Sequence, residues 1–508
     1  MPPTAPAFTP YTAVHETHAG VVFLVGDRAY KMKKPENFGF LDYSTRERRL
    51  AACHREVELN RRLAPDVYVG VFDVSDAEGR AVDHLVAMRR MPDARRLSTL
   101  VRDGSDVGAQ LRRVARVLAA FHADANRGDE ISAHGAACAL RGRWSDSFAQ
   151  VRAFPQDVLE GRTEEIERLA LRFIDGRHAL FSSRIDQGRV VDGHGDLLAD
   201  DVFCLDDGPR ILDCLEFDDA LRFVDGLDDA AFLAMDLERL GAAEAANSFL
   251  DRYADFAGDP APTALYHHYI AYRAFVRAKV ACLRAQQGGQ GAAEEARLLA
   301  DLCLRRLRGN AVRLVVVGGT PATGKSTLAG QMADRLGMVR LSSDRVRKER
   351  AGVDPMQSAA AAHGEGLYSA ENTDTVYRDL LDRARRLLAM GESVVLDASF
   401  ADTRHRRGAR GLAEEARADL AEIRCTAPDE EIDRRLDRRA HEASVSDADA
   451  RIARRMEAAF AEWPEAVVVD TSRQDPAAPE DVLPGAPKGD TRRRRVTIRP
   501  SAEETEIF

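Results

Sequence analysis

At 508 residues the chain exceeds one ordinary domain and has length for about two to four, each with its own core. A hydrophobic fraction of 45% beside 31% charged residues is that of a globular protein in water, and no apolar run approaches the roughly 20 residues that span a bilayer. The net charge of −10 speaks against a general nucleic-acid binder and leaves only a local basic channel open. The seven cysteines (53, 138, 204, 214, 282, 303, 425) are scattered, odd in number and without metal-ligand spacing. That pattern argues against a disulfide framework or a zinc site and fits a reducing, cytoplasmic setting. The opening MPPTAPAFTPYTAV has no basic stretch followed by an apolar one, so no secretory leader is expected.

In chain order, VVFLVGDRAYKM (21–32) alternates around a Gly-Asp turn and predicts a hairpin. STRERRLAACHREVELNRRLA (44–64) predicts an amphipathic helix capped by Ser44. More β-like sequence follows at 67–74 and 84–90. From Val107 the pattern turns helical: QLRRVARVLAAFHADAN, 155–187, 226–256 and 262–285. Among these lie HGDLLADD and two short β-like pieces, DDVFCL and RILDCL. RAQQGGQGAAEEA (284–296) is a Gly/Gln-rich dip that reads as a hinge, followed by a bridging helix to about 309. RLVVVGG (313–319), ESVVLDASF (392–400) and EAVVVDTS (465–472) are the β-branched runs of buried parallel strands, and helical stretches alternate with them. The expected division is a first domain over 1–285, a bridging helix over 286–309, a second domain over 310–482 and a mobile tail over 483–508. The four-Arg run at 492–495 reads as a solvated tail, with contact to phosphates or nucleic acid as the alternative. The two halves share no repeated motif.

The second half carries the clearer chemistry. Gly319-Thr320-Pro321-Ala322-Thr323-Gly324-Lys325-Ser326-Thr327 follows a strand and opens a helix, the context in which a Gly-x4-Gly-Lys-Ser pattern cradles phosphates. Lys325 is placed to reach the outer phosphates of ATP, and Ser326 to ligate Mg²⁺. Asp397, ending SVVLDAS, can hold Mg²⁺ or its water, or can cap the next helix. Asp344, in LSSDRVRKE, is a candidate general base with Arg345 or Arg347 as substrate contact; the alternative is a helix cap before an exposed basic helix. Arg435, Arg438 and Arg439 cluster on one helix, either as a lid over the nucleotide or as a solvated face paired with Asp433 and Asp437. Over about 310–475 this half resembles the zeta-toxin, polynucleotide-kinase and gluconate-kinase branch of P-loop kinases. The resemblance implies an α/β P-loop NTPase domain with a parallel sheet.

In the first half, His194-Gly195-Asp196 offers a carboxylate that can orient a hydroxyl and accept its proton. Asp213 follows a short strand, where a metal-binding carboxylate is wanted. Lys31 on the hairpin and Glu56 on the next helix form the pair that positions ATP phosphates. These elements, in this order, are similar to the aminoglycoside-phosphotransferase branch of the protein-kinase-like fold over about 15–285. ETHAGVVFLVGDRAYKMKKPENFGFLDYST, CLEFDDALRFVDGLDDAAFLAMDLE and AYRAFVRAKVACLRA extend the likeness. The whole chain resembles bacterial two-domain proteins in which such an α+β domain is fused to a P-loop kinase or ATPase. The family loop reads His-Gly-Asp-Leu-His with an Asn three residues on; here Leu198 and Asp201 stand at those places. Asp201 can still ligate Mg²⁺, adding a charge where Asn adds none. His122, in HADAN, reads as a structural helix end.

The implied activity is ATP- and Mg²⁺-dependent phosphoryl transfer to a small-molecule hydroxyl. The acceptor is sugar-like by resemblance, with a nucleotide or a nucleic-acid 5′ end as the lesser option. The alternative is a regulatory protein whose kinase-like half senses a ligand while the P-loop half hydrolyses ATP. Aminoglycoside resistance is a third reading, for which no acidic acceptor site can be assigned. No membrane partner is implied.

Overall fold

The computed structural model describes residues 12–16, 20–37, 42–154, 157–309, 311–352, 369–440 and 450–472; the side chains of 439–440 and 450–452 are outside that description, as are the Arg run and the rest of the expected tail. The chain forms two compact units. Of the described residues, one unit takes those up to Leu307 apart from Asp175–Ala179 and Pro262–Ala264; the other takes those segments and the described residues from Arg308 onward.

The first unit opens with β1 (Thr12–Glu16), β2 (Gly20–Val25) and β3 (Arg28–Lys33), then α1 (Arg46–Asn60), β4 (Tyr68–Ser75) and β5 (Ala81–Arg89). The strands form an antiparallel sheet in the order β1-β2-β3-β5-β4. Gly26, at φ 58°, makes the tight β2–β3 turn that the alternating hairpin sequence predicts. The cap of α1 lies one residue later than expected. Thr45 accepts from the Arg48 amide (3.3 Å), while the Ser44 hydroxyl turns to Asp42 (2.6 Å). Cys53 and Val57 of α1 pack with Ala29, Val86 and Met88 of the sheet, so the position of this helix is set by its apolar stripe.

The rest of the unit is mainly helical: α2 (Leu97–Arg102), α3 (Gly108–Asp124), α4 (Asp129–Ala133), α5 (Ala137–Arg152), α6 (Arg162–Asp175) and α7 (His178–Asp186). Short strands β6 (Val190–Asp192), β7 (Val202–Leu205), β8 (Gly208–Ile211) and β9 (Phe223–Asp225) follow, with β6 paired to β9 and β7 to β8. Then come α8 (Gly226–Arg239), α9 (Ala243–Ala257), α10 (Thr263–Gln286) and α11 (Ala292–Gly309). The stretch 226–256 reads as one helix but is two, broken at Gly241 with φ 87°. α8 is buried along its whole course from Gly226 to Leu237, three aspartates included. α11 buries Leu299, Leu302, Cys303 and Leu307, and its Arg306 meets Glu238 of α8 at 2.7 Å.

The second unit contains β10 (Arg313–Gly318), α12 (Lys325–Leu336), β11 (Val339–Ser342), α13 (Ser343–Arg350), α14 (Ala370–Ala389), β12 (Val394–Asp397), α15 (Thr403–Glu415), β13 (Asp419–Thr426), α16 (Asp429–Ala440), α17 (Ala450–Ala458) and β14 (Val467–Asp470). Its sheet is fully parallel in the order β11-β12-β10-β13-β14. Connections leave β10 toward one edge and later return past it to the other. That places a topological switch beside β10, where open α/β sheets bind ligands at the strands' carboxyl ends. β13 was not among the expected strands, because charges interrupt its apolar run. Each charge has a partner: Glu422, buried, takes Arg410 (2.9 Å), and Arg424 takes Glu457 (2.8 Å). Among the described residues no helix is long and apolar enough to cross a membrane.

Candidate functional site

In the second unit the buried strand β10 delivers the chain to a loop that must turn back on itself. Gly319 has φ 142°, and a Cβ there would stand 2.6 Å from the Cys425 carbonyl. Gly324 has φ 81°, and Ala322 takes φ 63° although it is not a glycine. The loop is fastened at several points: Gly319 N donates to Ser399 O (3.0 Å), Thr323 Oγ1 to Thr320 O (2.7 Å) and Thr320 Oγ1 to Glu457 (3.0 Å). Pro321, within the loop, is buried. Lys325, Ser326 and Thr327 form the first turn of α12, at the end where free amides and the helix dipole favour anions.

Ser326 Oγ lies 3.2 Å from Asp397 Oδ1, joining the start of α12 to the end of β12. Asp397 is buried, and its other oxygen takes Arg340 at 2.6 Å. A hydroxyl and a carboxylate meeting beside a phosphate cradle are the hard oxygen donors that suit Mg²⁺. Among the described residues no three His, Cys, Asp or Glu side chains converge into a self-sufficient metal centre.

The register pairs Val317 with Asp397 and Asp397 with Ser342, so the ends of β10, β12 and β11 share one edge. Asp344, in the first turn of α13, belongs to that edge, with Arg347 at 2.7 Å; Arg345 is exposed. Tyr377 was not foreseen. Its hydroxyl lies 3.2 Å from Ser399 Oγ and accepts from Phe400 N (2.9 Å), and its ring stacks on His405 at 3.7 Å. Arg435 donates to Ala322 O (3.1 Å), to Thr471 Oγ1 (3.0 Å) and to Thr471 O (2.9 Å), so it rests on the phosphate loop itself. Arg438 is exposed, and the Arg439 side chain lies outside the described residues.

In the first unit Lys31 Nζ is 3.0 Å from Glu56 Oε1 and 2.5 Å from Asp213 Oδ1. Burial works to lower the lysine pKa, but Asp213 and Glu56 outweigh it and raise it. Asp213 stands at φ 62°, and Lys31 beside it holds its carboxyl below the ordinary range. A second lysine joins the site. Lys33 Nζ is 2.6 Å from the other oxygen of Glu56 and also pairs with Glu216, which accepts from Tyr43 Oη (2.8 Å). Its only signal in sequence is that it lies two residues from Lys31 and so shares its strand face.

Asp196 follows β6 and Asp201 ends a short turn before β7. Burial pushes the Asp196 carboxyl up, with Arg277 opposing; burial, then Asp213 and Asp196, push Asp201 up further. Asp201 thus feels two other carboxylates. The loop is held from below by α8. Asp229 accepts from His194 N (2.7 Å) and Gly195 N (2.9 Å), and its Oδ2 meets His122 Nε2 at 3.0 Å. Asp228 takes Arg273 (2.8 Å), which also donates to Gly195 O (3.3 Å), and Asp236 accepts from Ala199 N (2.9 Å). His122 is therefore a brace rather than a reacting group. These aspartates stand in the quoted stretch GLDDAAFLAMDLE, but nothing in their spacing announced whose amides they would hold.

A family model described as "AAA domain" matches residues 314–463. Among solved structures, the GDP and kanamycin complex of APH(2")-IIia is 17% identical, covering 59% of this chain and 95% of its own, with a TM-score of 0.39. A sugar kinase from Janibacter sp. HTCC2649 is 21% identical, covering 34% of this chain and 90% of its own, with a TM-score of 0.25. The uncharacterized protein Rv2004c of Mycobacterium tuberculosis (strain H37Rv) is 43% identical over 464 residues, which is 91% of this chain and 93% of that protein. With that identity sustained through both units, the chain belongs to the family of Rv2004c, and its second unit carries the match described as "AAA domain" on a parallel sheet.

Proposed function

We propose that the protein is an ATP-dependent phosphotransferase acting on the hydroxyl of a small molecule, with a nucleotide site in each unit. The observation that carries this reading is the meeting of Ser326 with Asp397 at 3.2 Å beside the phosphate loop. Asp344 and Arg347 on the same sheet edge favour transfer to an acceptor over simple hydrolysis. In the second unit Lys325 draws the outer phosphates, Ser326 and Asp397 hold Mg²⁺, Asp344 takes the acceptor's proton and Arg435 offsets charge over the loop. In the first unit Lys31, braced by Glu56, grips the phosphates, Asp213 and Asp201 hold Mg²⁺, and Asp196 accepts the hydroxyl proton. Bound Mg²⁺ supplies charge neutralisation of the polyphosphate. The raised Asp196 carboxyl moves toward the range in which a base can also release its proton. A sugar-like acceptor fits the family resemblance, and seven unpaired cysteines fit the cytoplasm.

A second reading, in which the first unit senses a ligand without turnover, draws support from Leu198 and Asp201. Labelled ATP, Mg²⁺ and a panel of sugars, amino sugars, nucleosides and aminoglycosides separate the two. Both Lys325→Ala and Asp196→Ala are expected to reduce label on acceptors, each by its own unit's share. Label lost only with Lys325→Ala assigns all transfer to the second unit; free phosphate without labelled acceptor supports the switch.

A further inference from the structure

The segment from His194 to Asp201 contains Asp196, Asp200 and Asp201 and no lysine or arginine. In phosphoryl transfer the moving group spreads negative charge over its equatorial oxygens, and a positioned cation lowers the barrier. Lys31 is engaged by Glu56 and Asp213. Arg273 is buried and committed to Asp228 and the Gly195 carbonyl. Arg277, one turn further along α10, has a single charged partner among the described residues, Asp196 itself. Its guanidinium stands 4.0 Å from Asp196 Oδ1, beyond hydrogen-bond length, and among the described residues it donates no hydrogen bond. The two side chains keep 29% and 41% of their surface exposed, so each is partly buried and partly reachable from solvent. A planar fork of donors is thereby left beside the carboxylate that would orient the acceptor.

We propose that Arg277 is a further catalytic residue of the first unit, supplying from α10 the cation that meets the transferring phosphoryl group beside Asp196. The inference rests on the reading of this unit as a phosphotransferase. As the acceptor oxygen bonds to the γ-phosphorus, the bond from that phosphorus to the β–γ bridging oxygen breaks. ADP leaves with the electron pair, the hydroxyl proton passes to Asp196, and Arg277 stays protonated throughout. This gives a role to the AYRAFVRAKV stretch of α10.

The test uses the full chain carrying Lys325→Ala, which silences the second unit, and follows label from ATP to acceptor or to water. Arg277→Gln is expected to lower the Asp196-dependent kcat about 10²–10³-fold while the Kd for a non-hydrolysable ATP analogue moves less than about threefold. The acid limb of the pH–rate profile should stay in place, and Arg277→Lys should recover part of the rate. A shifted acid limb with an unchanged plateau would show that Arg277 only tunes Asp196 and overturn the proposal. So would an unchanged rate, or a raised KM confined to acidic acceptors. If Asp196→Ala removes no turnover in this background, the parent reading falls and takes this one with it.

Discussion

Asp201 carries a measurable signature of crowding. Burial, then Asp213 and Asp196, raise its carboxyl pKa above the ordinary 3.8. Between that value and the raised one, the folded state keeps a proton that the unfolded chain has released, so stability falls as pH rises through the window. Asp201→Asn removes the effect. Thermal melts of metal-free protein are expected to show the Asn variant more stable near neutrality, with the gap closing toward pH 3.8. A gap independent of pH would mean that packing, not charge, separates the two. In the other unit, Gly319→Ala would place a Cβ 2.6 Å from a backbone oxygen at φ 142°. It is expected to destabilise that unit by about 1–3 kcal/mol and to weaken ATP binding by calorimetry. Gly330→Ala, on α12 where a Cβ would stand in ordinary contact with the Arg340 side chain at 3.6 Å, should be neutral or slightly stabilising. Order and spacing single out Lys31, Glu56 and Asp213 in the sequence, and the fold brings these three together. Lys33, Glu216 and Tyr43 are not singled out, since only folding reveals which acid each base meets.

At the scale of elements, α8 shows why a helix can matter without touching ligand. Its Asp229 is buried and takes the amides of His194 and Gly195 and the ring of His122. Burial works to raise its pKa, and the His122 contact leads the interactions that hold it below the ordinary range instead. The stability it contributes is present above the ordinary carboxyl range and is lost as pH falls through its lowered value. Asp229→Ala strands two buried donors, each costing about 1–3 kcal/mol, so a loss of about 2–6 kcal/mol is expected in denaturant melts, with Asp196-dependent turnover lost as well. The parallel strands with unbroken β-branched runs were readable, as was the β2–β3 hairpin. β13 was hidden because Glu422 and Arg424 sit within it, and their neutralising partners come from α15 and α17. The break between α8 and α9 escaped notice because helical periodicity continues across Gly241.

Across the whole molecule the seven cysteines form a natural probe. Cys138 is exposed and the other six are buried. Burial pushes Cys53, Cys204 and Cys282 up to about 11, and Cys214 and Cys425 up to about 12. Near pH 8 the native protein is expected to react with a thiol reagent rapidly at Cys138 alone, and at all seven after denaturation. Fast reaction at Cys425, behind the phosphate loop, would report local opening of the second unit. The division into two units was visible from two unrelated phosphate signatures and a switch from helical to β-branched runs. The antiparallel neighbour β1 and the tiny β6–β9 pair were too short to announce themselves. Glu56, finally, has no exposed surface and is clasped by two ammonium groups from one strand. Swinging α1 outward would strip both lysines of their shared anion at once. One wholly buried carboxylate thus fixes both lysines of β3 to α1.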